Sequence, residues 1–250
     1  MSLRGHAAML AWHGLAEDFI ATHDEWHSRE HMAERVSIEG FLRGRRYRSV
    51  DTTGGTFLMY EVSDFEVLTS PAYLERLNHP TPWTRQTVPG VQDLCRTLCR
   101  TKTSRGLGIG RLIWTLRLRT ALESISRTQL ISWLDEQVEL LLEQQGLNAV
   151  HVLVGDADAS ALKNREKQLR SGDAVPADVV LLVEGYSAEV LMNLSDRLTN
   201  HTTIRDSSVD APEHGLYHLE FTLDSNDLPA NCRNQFDGTE GIGSNRAIQP

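Results

Sequence analysis

The stretch Thr22–Tyr47, THDEWHSREHMAERVSIEGFLRGRRY, is where residue types and spacing best suit chemistry. His23, His27 and His31 recur at steps of four, Glu30 and Glu34 stand among them, and the basic run Arg43–Arg48 follows. Imidazole titrates near neutrality, and a neighbouring carboxylate fixes its tautomer and raises its basicity. His27 or His31 paired with Glu34 therefore reads as a general base for a proton on carbon or hydroxyl. On a strand the basic run splits into Arg43, Arg45 and Tyr47 on one face and Gly44, Arg46 and Arg48 on the other. One arginine turned to the same space would hold a carboxylate or enolate oxygen, and Arg46 is the preferred candidate. A charged edge strand that resists aggregation is the plainer account of the run.

His27 and His31 are also one helical turn apart, as a metal pair requires, with Glu34, His23 and His13 as third ligands. HSREH matches the H-x-x-E-H string of inverted zinc peptidases, a short match that conflicts with the fold argued below. The plain structural account is a histidine row hydrogen-bonded to Glu30, Glu34 or backbone. Acid/base chemistry without a metal or other cofactor is the preferred reading. His13, His23, Trp26, Tyr60 and Trp83 are the substrate-binding candidates. Tyr60 offers a hydroxyl, and prolines 80 and 82 would hold Trp83 as a wall. Trp12 and His13 end the first strand near the same space.

These groups need elements to hold them. At about 100° per residue the histidines and Glu34 share one helical arc with Phe19 and Ile20, opposite Asp18, Glu25 and Arg29. That helix, ending at Gly40, follows a strand at His6–His13. FLRGRRYRSV and TFLMYEV are strands around DTTGG, DFEVLTSPAYLERLNHPTPWTRQTV is helical but broken by prolines, and VQDLCRTLCRTKT is a strand. GLGIG at 106–110 lacks the spacing of a nucleotide loop and reads as a flexible connector. The second half repeats the order in RLIWTLRLR, SRTQLISWLDEQVELLLEQQG, AVHVLVGDA, ADVVLLVEGYS, AEVLMNLSDRLTNH and HGLYHLEFTLD. Both halves are β-α-β-β-α-β, the ferredoxin-like order. The expected organisation is 1–108 as a first domain carrying the site, 109–224 as a second, degenerate one, and 225–250 as a flexible tail.

A four-stranded sheet with helices on one face must cover its other face. Two halves can pair sheet to sheet within a chain, or each with another chain. Here the sequence resembles the dimeric α/β-barrel superfamily and is similar to its EthD-like group. EWHSREH followed by GFLRGRRY, within the doubled order over about residues 6–224, carries the resemblance. It implies an α+β fold, two tandem ferredoxin-like halves in a dimeric α/β-barrel arrangement, with a small organic substrate in the barrel cavity. Members include metal-free monooxygenases, isomerases, cyclases, lyases and haem-dependent enzymes, so the fold leaves the reaction open.

The halves differ where it matters. The second long helix carries Leu130, Trp133, Leu134, Leu140 and Leu141 in place of histidines, so the first half is expected to host the site. A net charge of −9 argues against a nucleic-acid partner. No apolar run is long enough to span a membrane, and MSLRGHAAMLAWHG reads as a strand instead of a signal peptide. Cys95, Cys99 and Cys232 form no disulfide framework, and a reducing cytoplasm follows from that. The expectation is a cytoplasmic homodimer, a lyase, isomerase or cofactor-free oxygenase of a carbonyl or aromatic acid. The alternatives are a non-catalytic small-molecule binder and a metal- or haem-dependent enzyme using His27 and His31.

Overall fold

Residues 3–120, 124–170 and 174–229 are described in this computed structural model. Eight strands close one barrel: β1 Ala7–Leu15, β2 Phe41–Ser49, β3 Thr56–Val62, β4 Val91–Gly106, β5 Leu112–Leu118, β6 Leu147–Gly155, β7 Val179–Gly185 and β8 Glu213–Asp224. Going round it, the order is β4-β1-β3-β2-β8-β5-β7-β6 and back to β4, with antiparallel pairing throughout. Each half thus forms a sheet of the same order, and the seams β2–β8 and β6–β4 join the two. Both seams lie within one chain, so a second chain is not needed to build the barrel.

Alternation sorts each strand between two buried faces. Ala8, Leu10 and Trp12 of β1 point into the barrel, and Met9, Ala11 and His13 point out toward the helices. The barrel is filled, chiefly by Leu10, Trp12, Tyr47, Phe57, Ile113 and Leu182. Cys95 and Cys99 are packed there as free thiols, and burial pushes the Cys99 thiol far up. A barrel cavity as the substrate chamber is therefore corrected: the lumen is packed core.

The first-half helix runs through a 3₁₀ turn Glu17–Phe19, α1 Ile20–Trp26, a π turn His27–His31 and α2 Met32–Val36. Gly44 of β2 lets it approach closely, since a Cβ there would lie 2.7 Å from Met32 Cγ. α3 Pro71–Asn78 and α4 Pro82–Thr87 each begin with proline after a capping Ser70 or Thr81. The prolines start these helices, where a missing N–H is harmless.

In the second half α5 Ser124–Leu142 and α8 Ala188–Thr199 pack on the sheet, and Leu130, Leu134, Val138 and Leu141 face inward. Leu140 is exposed and so leaves the expected inward face, while half-buried Trp133 packs against that core and stacks on His201. The β6–β7 connection carries two short helices, α6 Ala157–Ala161 and α7 Arg165–Gln168; α9 Thr202–Ser207 precedes β8. The connector at 106–110 is fitted tightly only at its ends: Gly106 has φ +108, and a Cβ there would lie 2.2 Å from the Asn148 carbonyl oxygen, whereas a Cβ at Gly108 would meet open space. The Gly110 N–H donates to Glu184 at 2.7 Å. Cys232 and the expected tail beyond residue 229 lie outside the described residues. Among the described residues no helix is long and apolar enough to cross a membrane.

Candidate active site

A cavity of about 60 Å³ lies between the outer face of the first-half sheet and its helices. His13, His23, Trp26, His27, His31 and Tyr60 line it, over an apolar floor that includes Met9, Leu58, Val91 and Leu94. The imidazoles form a ladder: ring centroids are 5.0 Å apart from His13 to His23, 5.4 Å from His23 to His27 and 5.7 Å from His27 to His31. Trp26 lies 4.3 Å from His31 and donates its indole N–H to Thr84 Oγ1 at 3.3 Å. Thr84, not Trp83, is thus the α4 residue tied to the wall. Trp83 is half-buried and outside the cavity lining.

The π turn explains which side chains arrive. Met32 N–H bonds to the His27 carbonyl, an i to i+5 step. One extra residue in a turn sets every later side chain back by about 100°. Arg35 takes the place that a regular helix would give Glu34. Arg35 lines the cavity, and Glu34, although buried, does not. Helical periodicity hides this, because it assumes a constant 3.6 residues per turn.

Glu34 nonetheless stands behind His31. Its Oε2 lies 3.8 Å from His31 Nδ1 and 3.5 Å from Arg35 Nη1, and among the described residues none of these three atoms has a hydrogen-bond partner. Burial pushes the Glu34 carboxyl up to about 7, against the pull of Arg35. A proton can therefore sit on Glu34 part of the time near neutral pH. Glu34 does not pair with His27.

His27 has different partners. Arg46 Nη1 approaches its Nδ1 at 3.5 Å, and Tyr60 Oη lies 3.0 Å from its Nε2. A guanidinium only donates, so Nδ1 accepts and the neutral ring carries its proton on Nε2, directed at the Tyr60 oxygen. That leaves the Tyr60 O–H to donate elsewhere, and Tyr60 lines the cavity. Burial holds this phenol un-ionised by pushing its pKa well up. Arg46 does not line the cavity; it sits behind His27, also donating to Ser28 Oγ at 2.9 Å and facing Glu220 at 3.3 Å. Arg45 and Tyr47 point into the barrel, as alternation requires.

His13 Nδ1 donates to the Gly14 carbonyl at 3.4 Å, which leaves Nε2 as a buried acceptor without a partner among the described residues. His23 Nδ1 pairs with Asp24 at 3.1 Å. Sequence reading missed Arg35, Tyr73, Arg96, Glu166 and Arg170, all in the lining. Glu166 and Arg170 come from the β6–β7 connection, so the second half furnishes part of the wall.

The donor set does not make a multidentate metal site. Both nitrogens of His27 are engaged, and among the described residues no three His, Cys, Asp or Glu side chains group as a metal site requires.

Burial is the main reason that His13, His23, His27 and His31 all have lowered pKa values; neighbouring imidazoles and Arg35, Arg46 and Arg170 add to it. Unfolding lets each take up a proton below its ordinary value of about 6.5, so each contributes stability that falls as pH drops below that point. Glu34 has the opposite sign, since its contribution falls as pH rises from 4.5 to about 7. Four imidazoles outweigh one carboxyl. The urea midpoint should therefore drop between about pH 7 and about pH 5.5, and a midpoint that is flat or rises on acidification contradicts a buried neutral row.

Neither a protein-family model nor a curated protein matches the chain. Solved structures do. An anthrone oxidase-like protein superposes with a TM-score of 0.66 at 15% identity, over 91% of this chain and 97% of the other. A candidate monooxygenase from Fusobacterium nucleatum gives 0.54 at 8% identity, over 89% and 96%. The chain has the dimeric α/β-barrel fold. A candidate chlorite dismutase gives 0.50 at 9% identity, over 93% and 99%, and at such identities the likeness is one of fold. In this dimeric α/β-barrel chain, the cavity lies outside the barrel and beneath the histidine helix.

Proposed function

We propose that the protein is a small-molecule enzyme that takes a proton from an enolisable or phenolic aromatic substrate in the first-half cavity and lets the anion react with dioxygen, without a cofactor. His31, backed by Glu34, is the base. Tyr60 donates to the oxygen on which negative charge develops, and Arg46 acts on it through His27. The observation that carries this reading is the meeting of two polar arms, Glu34–His31 and Arg46–His27–Tyr60, at one apolar, aromatic-walled cavity. Low polarity around such groups strengthens their effect on a developing charge.

For a ring CH₂ beside a conjugated carbonyl, the base removes one proton to give an enolate. The enolate passes one electron to dioxygen, radical and superoxide combine, and reprotonation gives a hydroperoxide. Loss of water leaves a second carbonyl, so CH₂ and O₂ become C=O and H₂O. The descriptions of two superposed structures, an anthrone oxidase-like protein and a candidate monooxygenase, favour this outcome over a lyase or isomerase. The resemblance to the EthD-like group rests on EWHSREH and GFLRGRRY within the doubled order of elements.

An oxygen electrode tests the proposal with a panel of anthrones, hydroxynaphthoates and enolisable aryl keto acids. At least one should consume oxygen in proportion to protein, at a rate unchanged by chelator dialysis. Uptake lost on dialysis and restored by metal would overturn cofactor independence; no uptake across the panel would overturn the oxygenase reading.

A further inference from the structure

The charges around the cavity are unbalanced in a way the proposed proton transfer does not use. Arg35, Arg96 and Arg170 line it, and Glu166 is the only carboxyl residue in the lining among the described residues. Arg96 is half-buried, and its side chain makes no hydrogen bond or ion pair with any described residue. Arg35 is 1% exposed; its Nη2 donates to Glu166 and its Nη1 has no hydrogen-bond partner among the described residues.

The cavity is partly open to solvent, and its volume of about 60 Å³ falls well below that of an ordinary ligand pocket. An organic ligand therefore enters by moving side chains. Of the Arg35–Glu166 pair, Glu166 is the partner with an exit, because its side chain keeps 13% exposure where that of Arg35 keeps 2%. Its departure would leave Arg35 as a buried guanidinium without a full counter-charge, which is strongly unfavourable. Glu34 is a poor substitute, lying 3.5 Å from Arg35 Nη1 and holding its proton part of the time near neutrality. A ligand that brings its own anionic fork solves the problem, since a carboxylate matches guanidinium geometry.

We infer that the cavity's ligand is an aromatic carboxylate whose carboxylate replaces Glu166 on Arg35 and is shared with Arg96. This deepens the proposed function by naming the substrate class, and it rests on that reading for the location of the site, not for the reaction. The β6–β7 connection is then a built-in competitor: Glu166 fills the anion site until substrate arrives.

Calorimetric titration with 2-naphthoate and its neutral isostere 2-naphthamide tests this. Wild type should bind naphthoate at least ~10-fold more tightly than naphthamide, and Arg96→Met should remove most of that difference. Glu166→Gln should tighten naphthoate binding and leave naphthamide unchanged, which a merely structural ion pair would not do. Equal affinity for the two compounds, no binding of either, or weaker naphthoate binding in Glu166→Gln would overturn the inference. Carboxylate preference without oxygen uptake would sink only the reaction, and uptake without that preference only this inference.

Discussion

Glutamine at His31 is expected to lower turnover by about 10²–10⁴-fold, the usual contribution of a positioned general base. The substitution keeps a polar side chain of similar reach under Trp26, so the melting temperature should move little. Tyr60→Phe should cost about 10²–10³-fold, the effect of losing one donor to a developing oxyanion. The two losses arise by different routes. His31→Gln removes the proton acceptor; Tyr60→Phe keeps it and removes the group that makes the anion affordable. Glu34→Gln should shift the acid limb of the pH–rate profile, because its carboxyl is the group held at about 7 beside the base. Oxygen uptake and thermal melts on the same preparations measure all of this. Activity within about threefold of wild type in His31→Gln, with a fall of several degrees in melting temperature, would assign the imidazole to packing.

The largest stability effect should come from the barrel. Arg45 is fully buried and bridges Glu61 of β3 and Glu184 of β7, at 2.9 Å each, and donates to Tyr47 Oη at 2.8 Å. It thereby ties the sheet of one half to that of the other. Glu184 also faces His151 Nε2 at 3.2 Å, and Arg45 with His151 holds its carboxyl down to about 2 despite burial. Its contribution is present above the ordinary value of 4.5 and is lost as pH falls toward about 2. Arg45→Met leaves Glu184 buried without its guanidinium and should cost about 3–5 kcal/mol in urea unfolding. Arg45→Met/Glu184→Met should recover part of the loss, because two apolar side chains strand less charge than one deletion does. A single variant losing under about 1 kcal/mol, or a double variant less stable than the single, would contradict this account.

The fold was legible because both halves repeat one order of elements, and because strand alternation separates Trp12 from His13 and Arg45 from Arg46. The row His23, His27, His31 was legible for a related reason, as step-four spacing opposite Glu25 and Arg29. The packed lumen was not legible. Continuous apolar strands are buried on both faces, and nothing in their pattern says which face borders a cavity. The exchange of Glu34 for Arg35 escaped because a π turn has no compositional signature in HSREH. Glu166 and Arg170 escaped because they lie far along the chain, on a connection whose path depends on tertiary packing. Trp83 was expected as a wall: Pro82 does start a helix, but the α4 residue bonded to Trp26 is its neighbour Thr84, and Trp83 lies outside the cavity lining.

The most direct test is deuterium wash-in at the acidic carbon of the panel compound with the fastest oxygen uptake, under argon in D₂O, followed by NMR. Without dioxygen the reaction should stop at the enolate and return it. The account predicts exchange well above the buffer rate with wild type, and the buffer rate with His31→Gln. Exchange at the buffer rate in a wild-type sample that still consumes oxygen in air would mean that proton abstraction in this cavity is not how the protein works.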